Sequence, residues 1–207
     1  MKSYNLYFFR HGITKGNLNA QYIGHTDLPL TTDSINELHS IKAKYHYPKV
    51  DAVFSSPLKR CKDSAEIMFP DNTIITIDDF IEYNFGEFEQ CTADDLKDNE
   101  DFKNWIGGDI YAKTPYGESN AEFAQRICAA FEKVIDGCIK TDGIIGTGNI
   151  QVNGSRKADC VNPQGGQLSR ASEGTVSSDD HHSVNAMLAA DISALLLAFR
   201  WGEFLTS

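Results

Sequence analysis

The chain has 207 residues, 41% hydrophobic and 23% charged, with a formal net charge of −10, proportions that suit one soluble domain with a single sizeable core. An acidic balance argues against nucleic-acid or anionic-membrane partners, which are held by clustered Lys and Arg, so any anionic ligand needs positive charge concentrated locally. The opening apolar run is too short and broken for a signal peptide, no stretch approaches membrane-spanning length, and five cysteines (Cys61, Cys91, Cys128, Cys138, Cys160) without a CxxC pair are expected to be free thiols in a reducing cytoplasm, forming neither a disulfide framework nor a zinc site.

Asn5 to Phe9 is a short aromatic-rich run ending at Arg10-His11-Gly12, the pattern of a buried strand that delivers a polar loop, here predicted to continue to Pro29. Ser34-x-x-Glu37 has capping-box form, and Ile35, Leu38, Ile41 and Tyr45 follow at helical spacing, predicting a helix that ends by Pro48. Val50 to Phe54 predicts a second strand, Ser55-Ser56-Pro57 a turn with Pro at the first helical position, Leu58 to Met68 a helix, and Thr73 to Ile77 a third strand. Ser119-x-x-Glu122 is another capping box, followed by Phe123, Ile127, Phe131, Val134 and Cys138 on one face. Strands alternating with helices predict an α/β fold, a three-layer α/β/α sandwich around a mostly parallel sheet, in one domain spanning residues 1–207.

The composition breaks near Thr141. Nineteen aromatics lie in the first 131 residues and none between Phe131 and Phe199, while seven of sixteen glycines fall between Asp142 and His181. A chain still building core does not stop using aromatic residues, so residues 142–182 are set apart as an atypical, loop-rich segment. Gly143 to Val152 is expected to supply a weak strand, and Ser183 to Phe199 a helix with Val184, Met187, Leu188, Leu195 and Phe199 inward.

The sharpest cluster is Arg10-His11-Gly12-Ile13-Thr14-Lys15-Gly16-Asn17, at the carboxyl end of the first strand, where open α/β sheets place their ligands. A neutral imidazole can attack phosphorus and carry it, and a neighbouring guanidinium offers a planar fork of donors that matches phosphate oxygens. Gly12 leaves room for the anion, while Thr14 and Asn17 can add hydrogen bonds.

These residues resemble the Arg-His-Gly-x-Thr-x-x-Asn signature of the histidine phosphatase superfamily, also called the phosphoglycerate mutase-like family. Further stretches follow in family order: Gly24 to Thr31, Ser55 to Ala65, Ile81 to Glu89 with Phe88 where the family has Trp, and Tyr116-Gly117-Glu118-Ser119. The resemblance covers residues 1 to about 140. It implies His11 as the nucleophile, Arg10, Asn17 and Arg60 as phosphate ligands, Glu82 as the acid that protonates the leaving oxygen, and Gly24 as the start of the substrate-facing wall. No metal or cofactor is implied, because two guanidiniums stabilise a transferring phosphoryl group without one. Glu82 must carry a proton to act, a state favoured by a partly buried site beside an anion. The acidic run Asp94 to Asp101 is read as a solvated face without chemistry.

The family's second histidine, in a Thr/Ser-His-Gly motif after the long helix, has no counterpart near Ile144 to Val152. His181 and His182 are the downstream candidates, and the best register places Asp180 in that slot. The resemblance ends near Asp142, together with the aromatics. Three explanations stand: a loop inserted before a displaced motif, a degenerate site, or later residues that are not native family sequence, as after a frame shift. The coincidence favours the last, and a His-Gly motif should then emerge when the coding DNA beyond that codon is read in another frame. The expected activity is hydrolysis of a small phosphorylated metabolite through a phosphohistidine. The alternatives are mutase-type phosphotransfer and a non-catalytic phosphate-binding scaffold. The sequence specifies neither the leaving group nor the oligomeric state.

Overall fold

The computed structural model describes residues 2–47, 49–141 and 195–203. Strand β1 (Lys2–Arg10) leads through a one-turn helix α1 (Lys15–Leu18) and an extended loop to α2 (Thr32–Lys44). Strand β2 (Ala52–Ser55), α3 (Lys59–Met68) and β3 (Ile74–Thr76) follow. Single 3-10 turns at Asp78–Phe80 and Gly86–Phe88, the short helices α4 (Ala93–Leu96) and α5 (Glu100–Ile106), the long helix α6 (Asn120–Thr141) and strand β4 (Leu195–Glu203) complete the order.

The sheet runs β1-β4-β2-β3. β2 and β3 pair in parallel, with Val53 opposite Ile74, while β4 lies antiparallel between β1 and β2. β1, β2 and β3 therefore share one direction and β4 opposes it. On one face Leu6, Phe8, Ala52 and Phe54 meet Phe123, Ile127, Ala130 and Val134 of α6. On the other, Tyr7, Phe9 and Val53 meet Leu38 of α2 and Ala65 and Met68 of α3. Every position of β1 from Leu6 to Phe9 is apolar because both faces are covered, the usual pattern of a sandwiched strand. A third cluster, Phe88, Leu96 and Phe102, seats the short helices. The acidic residues Asp94, Asp95, Asp98 and Asp101 are exposed around it, as expected of a solvated face.

Four local expectations differ from the structure. The loop expected to run to Pro29 contains the one-turn helix α1 at Lys15–Leu18. The cap of α2 is Thr31, whose hydroxyl accepts from Ser34 N–H at 3.1 Å, and the helix ends at Lys44. Ser34 is freed to accept from Ile13 N–H at 2.7 Å, so a tertiary partner claimed the residue that local spacing had marked as a cap. Helix α3 starts at Lys59, with Leu58 as its cap and Pro57 before it. Residues 195–203 form a strand where a helix was expected up to Phe199. A run such as Leu195-Leu196-Leu197-Ala198 has no period that separates strand from helix, and hydrogen-bonding partners on both sides settle the matter. The expected strand at Gly143 to Val152 and the start of the expected helix at Ser183 lie outside the described residues. By contrast, Ser119 and Glu122 do exchange hydrogen bonds at the start of α6, at 3.0 and 3.2 Å.

Ile127 has no exposed surface at the centre of the α6 face. Truncating it to Ala is expected to cost about 2–5 kcal/mol, visible as a lowered Tm in thermal denaturation; an unchanged Tm would disprove this packing.

Candidate active site

His11 follows the last residue of β1, and its backbone is held from two helices. Gly12 N–H donates to Ser64 Oγ of α3 at 2.9 Å, and Ser64 donates onward to the Arg60 carbonyl at 2.7 Å. Ile13 N–H donates to Ser34 Oγ of α2. Gly12 has to be glycine, because a Cβ there would lie 2.4 Å from Ser34 Oγ and 3.1 Å from Leu38. The strand tip is thus bolted to both helices that cover this face.

The His11 ring is oriented by its own loop. Nδ1 lies 2.6 Å from the Gly12 carbonyl. A carbonyl only accepts, so Nδ1 carries the proton and Nε2 keeps the lone pair. The residue keeps some solvent-accessible surface, yet its ring is crowded enough that burial, opposed by the Gly12 hydrogen bond and reinforced by the charges of Arg60 and Arg10, pushes its pKa from 6.5 down to about 4. At neutral pH the ring is uncharged, with two cations acting on it.

Arg60 is 1% exposed. Its Nη1 donates to the Thr26 carbonyl at 3.0 Å, and its Nη2 to the carbonyls of Gly24 at 2.9 Å and Ile23 at 3.5 Å. Three of its five N–H groups are spent on this loop. Arg10 is exposed, and its charge contributes to the lowered His11 pKa.

Thr14 and Asn17 form a capping box on α1: Asn17 Oδ1 accepts from both the backbone N–H and the hydroxyl of Thr14, each at 2.9 Å. The Thr14 hydroxyl is therefore a structural donor, and Asn17 retains its amide NH2 as the group with hydrogen bonds to give. Gly24 is buried; its N–H is taken by Glu89 and its carbonyl by Arg60, so it organises the loop. His181 and His182 lie outside the described residues.

Glu82 accepts from the N–H of Tyr83 at 2.8 Å. Its charge and that of Arg60 are both felt by the Cys61 thiol, which burial pushes up to about 12, far above the range of a reactive thiol. The segment carrying Glu82 is fastened by Arg126 of α6. Arg126 donates to the carbonyls of Asp79 and Ile81 at 2.8 Å each and of Glu82 at 3.4 Å, and pairs with Glu118 at 2.7 Å. Glu118 also accepts from Asn84 N–H at 2.9 Å. Ser64, Glu89 and Arg126 escaped a reading by sequence, and the sequence marks Ser34 only as a helix cap. Ser64 and Glu89 stand inside the matched blocks, but nothing in the sequence marks Arg126.

The depressed His11 has a consequence for stability. Between pH 6.5 and 4 the unfolded chain binds a proton that the folded one refuses, so stability is present above this window and is lost as pH falls through it. Replacing His11 by Gln is expected to reduce the drop in Tm across that interval. An NMR titration of the wild-type ring should give a midpoint near 4, and one near 6.5 would refute the burial argument.

Residues 6–145 match the histidine phosphatase superfamily (branch 1), more than half of the chain. The adenosylcobalamin/alpha-ribazole phosphatase of Escherichia coli (strain K12) is 29% identical over 126 residues, covering 59% of this chain and 62% of that protein. The "Probable phosphoglycerate mutase GpmB" of Yersinia pestis (strain Pestoides F) is 30% identical over 135 residues, 63% of each chain. The crystal structure of the alpha-ribazole phosphatase from Shigella flexneri superposes with a TM-score of 0.57 at 25% identity, over 69% of both chains. The match thus spans about three-fifths of the length of these curated relatives. The α/β/α architecture agrees with these matches: the chain belongs to the histidine phosphatase superfamily.

Proposed function

We propose that this chain, as a single domain, hydrolyses a small phosphomonoester through a phosphohistidine on His11. The observation that carries the reading is a neutral imidazole at a strand tip, its proton fixed on Nδ1 by the Gly12 carbonyl, with two guanidiniums acting on it. In the first step the Nε2 lone pair forms a bond to phosphorus, the P–O ester bond breaks, and Glu82 gives its proton to the leaving oxygen. In the second, the Glu82 carboxylate takes a proton from water, the water oxygen bonds to phosphorus, and the P–N bond breaks. Arg10 and Arg60 neutralise the equatorial oxygens throughout, and the Asn17 amide adds a donor. Two cations in this position make the reaction independent of a metal.

The names of the relatives suggest a phosphorylated nucleoside-like alcohol such as alpha-ribazole phosphate as substrate. The similarity to GpmB favours, as a second reading, phosphotransfer to a bound hydroxyl. Free thiols at Cys61, Cys91 and Cys128 suit a cytoplasmic enzyme. Among the described residues no helix is long and apolar enough to cross a membrane, and the acidic net charge speaks against a nucleic-acid partner.

Hydrolysis of p-nitrophenyl phosphate is expected from the full chain, undiminished by EDTA, and reduced on the order of a thousandfold or more in His11→Ala. Equal rates in wild type and variant would eliminate the reading, and phosphate binding without turnover would select a non-catalytic scaffold. Product analysis with 3-phosphoglycerate separates the two enzymatic readings: released phosphate marks the phosphatase and 2-phosphoglycerate the mutase.

A further inference from the structure

Glu89 takes no part in the steps above, yet its carboxylate is wrapped by the loop that holds Arg60. It accepts from the backbone N–H groups of Gly24 at 3.1 Å, His25 at 2.8 Å, Thr26 at 3.2 Å and Phe85 at 3.4 Å, and from the Thr26 hydroxyl at 2.6 Å. Arg60 takes the other edge of the same stretch, through the carbonyls of Ile23, Gly24 and Thr26. The peptide units Ile23–Gly24 and Gly24–His25 are therefore each gripped at both ends, N–H by the carboxylate and C=O by the guanidinium.

A peptide dipole presents its positive N–H end to an anion and its negative carbonyl end to a cation, so each unit lies in its favourable orientation between the two charges. The described ion pairs include none between Glu89 and Arg60; the attraction passes through the backbone. The layers lie close together: a Cβ on Gly24 would sit 1.8 Å from the Tyr83 carbonyl and 2.6 Å from Glu89 Oε1. A second link fixes the far end of the loop, where Asp27 Oδ1 accepts from Lys59 N–H at 2.7 Å, one residue before Arg60.

We propose that Glu89 is the positioning residue for Arg60, holding its guanidinium over the phosphate subsite through the peptide units of residues 23–25. This rests on the reading that Arg60 binds the phosphoryl oxygens. Removing the carboxylate leaves three backbone N–H groups of the loop without their acceptor, the loop loosens, and the carbonyls that aim Arg60 lose their registration.

The test is a double-mutant cycle on the full chain, with inorganic phosphate as the probe and calorimetry as the readout. Glu89→Gln is expected to weaken phosphate binding about tenfold or more, as losing a residue that orients a ligand-binding group does. In an Arg60→Ala background the same change should have no further effect, because there is no guanidinium left to aim. Wild-type affinity in Glu89→Gln, or losses that simply multiply, would overturn the proposal while leaving the phosphatase reading intact. If the wild type itself binds no phosphate, the phosphatase reading falls, and NMR titration of His11 then judges the positioning role alone. Displacement of Arg60 removes a cation and raises the His11 midpoint in Glu89→Gln, whereas mere loss of a carboxylate lowers it. An unchanged or lower midpoint overturns the proposal. Should thermal melts show Glu89→Gln to be unfolded, Thr26→Val deletes only the 2.6 Å hydroxyl bond and should move phosphate affinity in the same direction by a smaller factor; no change would be decisive against it.

Discussion

A guanidinium buried to 1% exposure is the constraint around which this site is built. A cation removed from water is tolerated only where acceptors replace its hydration, and here those acceptors are carbonyls of residues 23, 24 and 26. The loop between α1 and α2 must therefore follow one path, with its carbonyls turned in toward α3. Its N–H groups then face the opposite side, where Glu89 collects them. One charge on α3 thereby dictates the course of a segment more than thirty residues earlier in the chain.

The same helix governs the nucleophile. Ser64 lies one turn beyond Arg60, donates to its carbonyl and accepts from Gly12 N–H, so the placement of Arg60 and that of the His11 backbone are two readings of one helix position. Ser34 supplies the matching restraint from α2. These restraints leave the imidazole crowded and beside two cations, and it stays uncharged at neutral pH. A molecule with a net charge of −10 thus sets two guanidiniums to act on one strand-tip ring. The Glu82 segment, by contrast, is anchored from the opposite face of the sheet by Arg126 of α6, so Glu82 and His11 are held by different layers.

Much of this was visible before any coordinates. The aromatic run ending in Arg10-His11 delivered its strand and its polar tip, and the α6 stripe at Phe123, Ile127, Val134 and Cys138 is buried as its spacing required. The block around Arg60 singled out a residue that, taken alone, would pass for an exposed helical cation. Local signals failed where a distant partner competed for the same group. Ser34 looked like a cap and became an acceptor for Ile13, Thr14 looked like a ligand donor and spends its hydroxyl on Asn17, and the leucines at 195–197 acquired strand neighbours instead of a helical face.

The sequence by itself determined the residue chemistry: an imidazole beside an arginine, a second arginine and a glutamate in ordered blocks, and alternating elements that bury apolar surface on both sides of a sheet. Those features are local in sequence, written in composition and period. Only the tertiary structure decided which proton His11 carries, why Gly24 can bear no side chain, and how Glu89 and Arg60 come to share the same peptide units. Each of these depends on hydrogen bonds between residues tens of positions apart, and the direction of a hydrogen bond is a property of folded geometry that no spacing along the chain encodes.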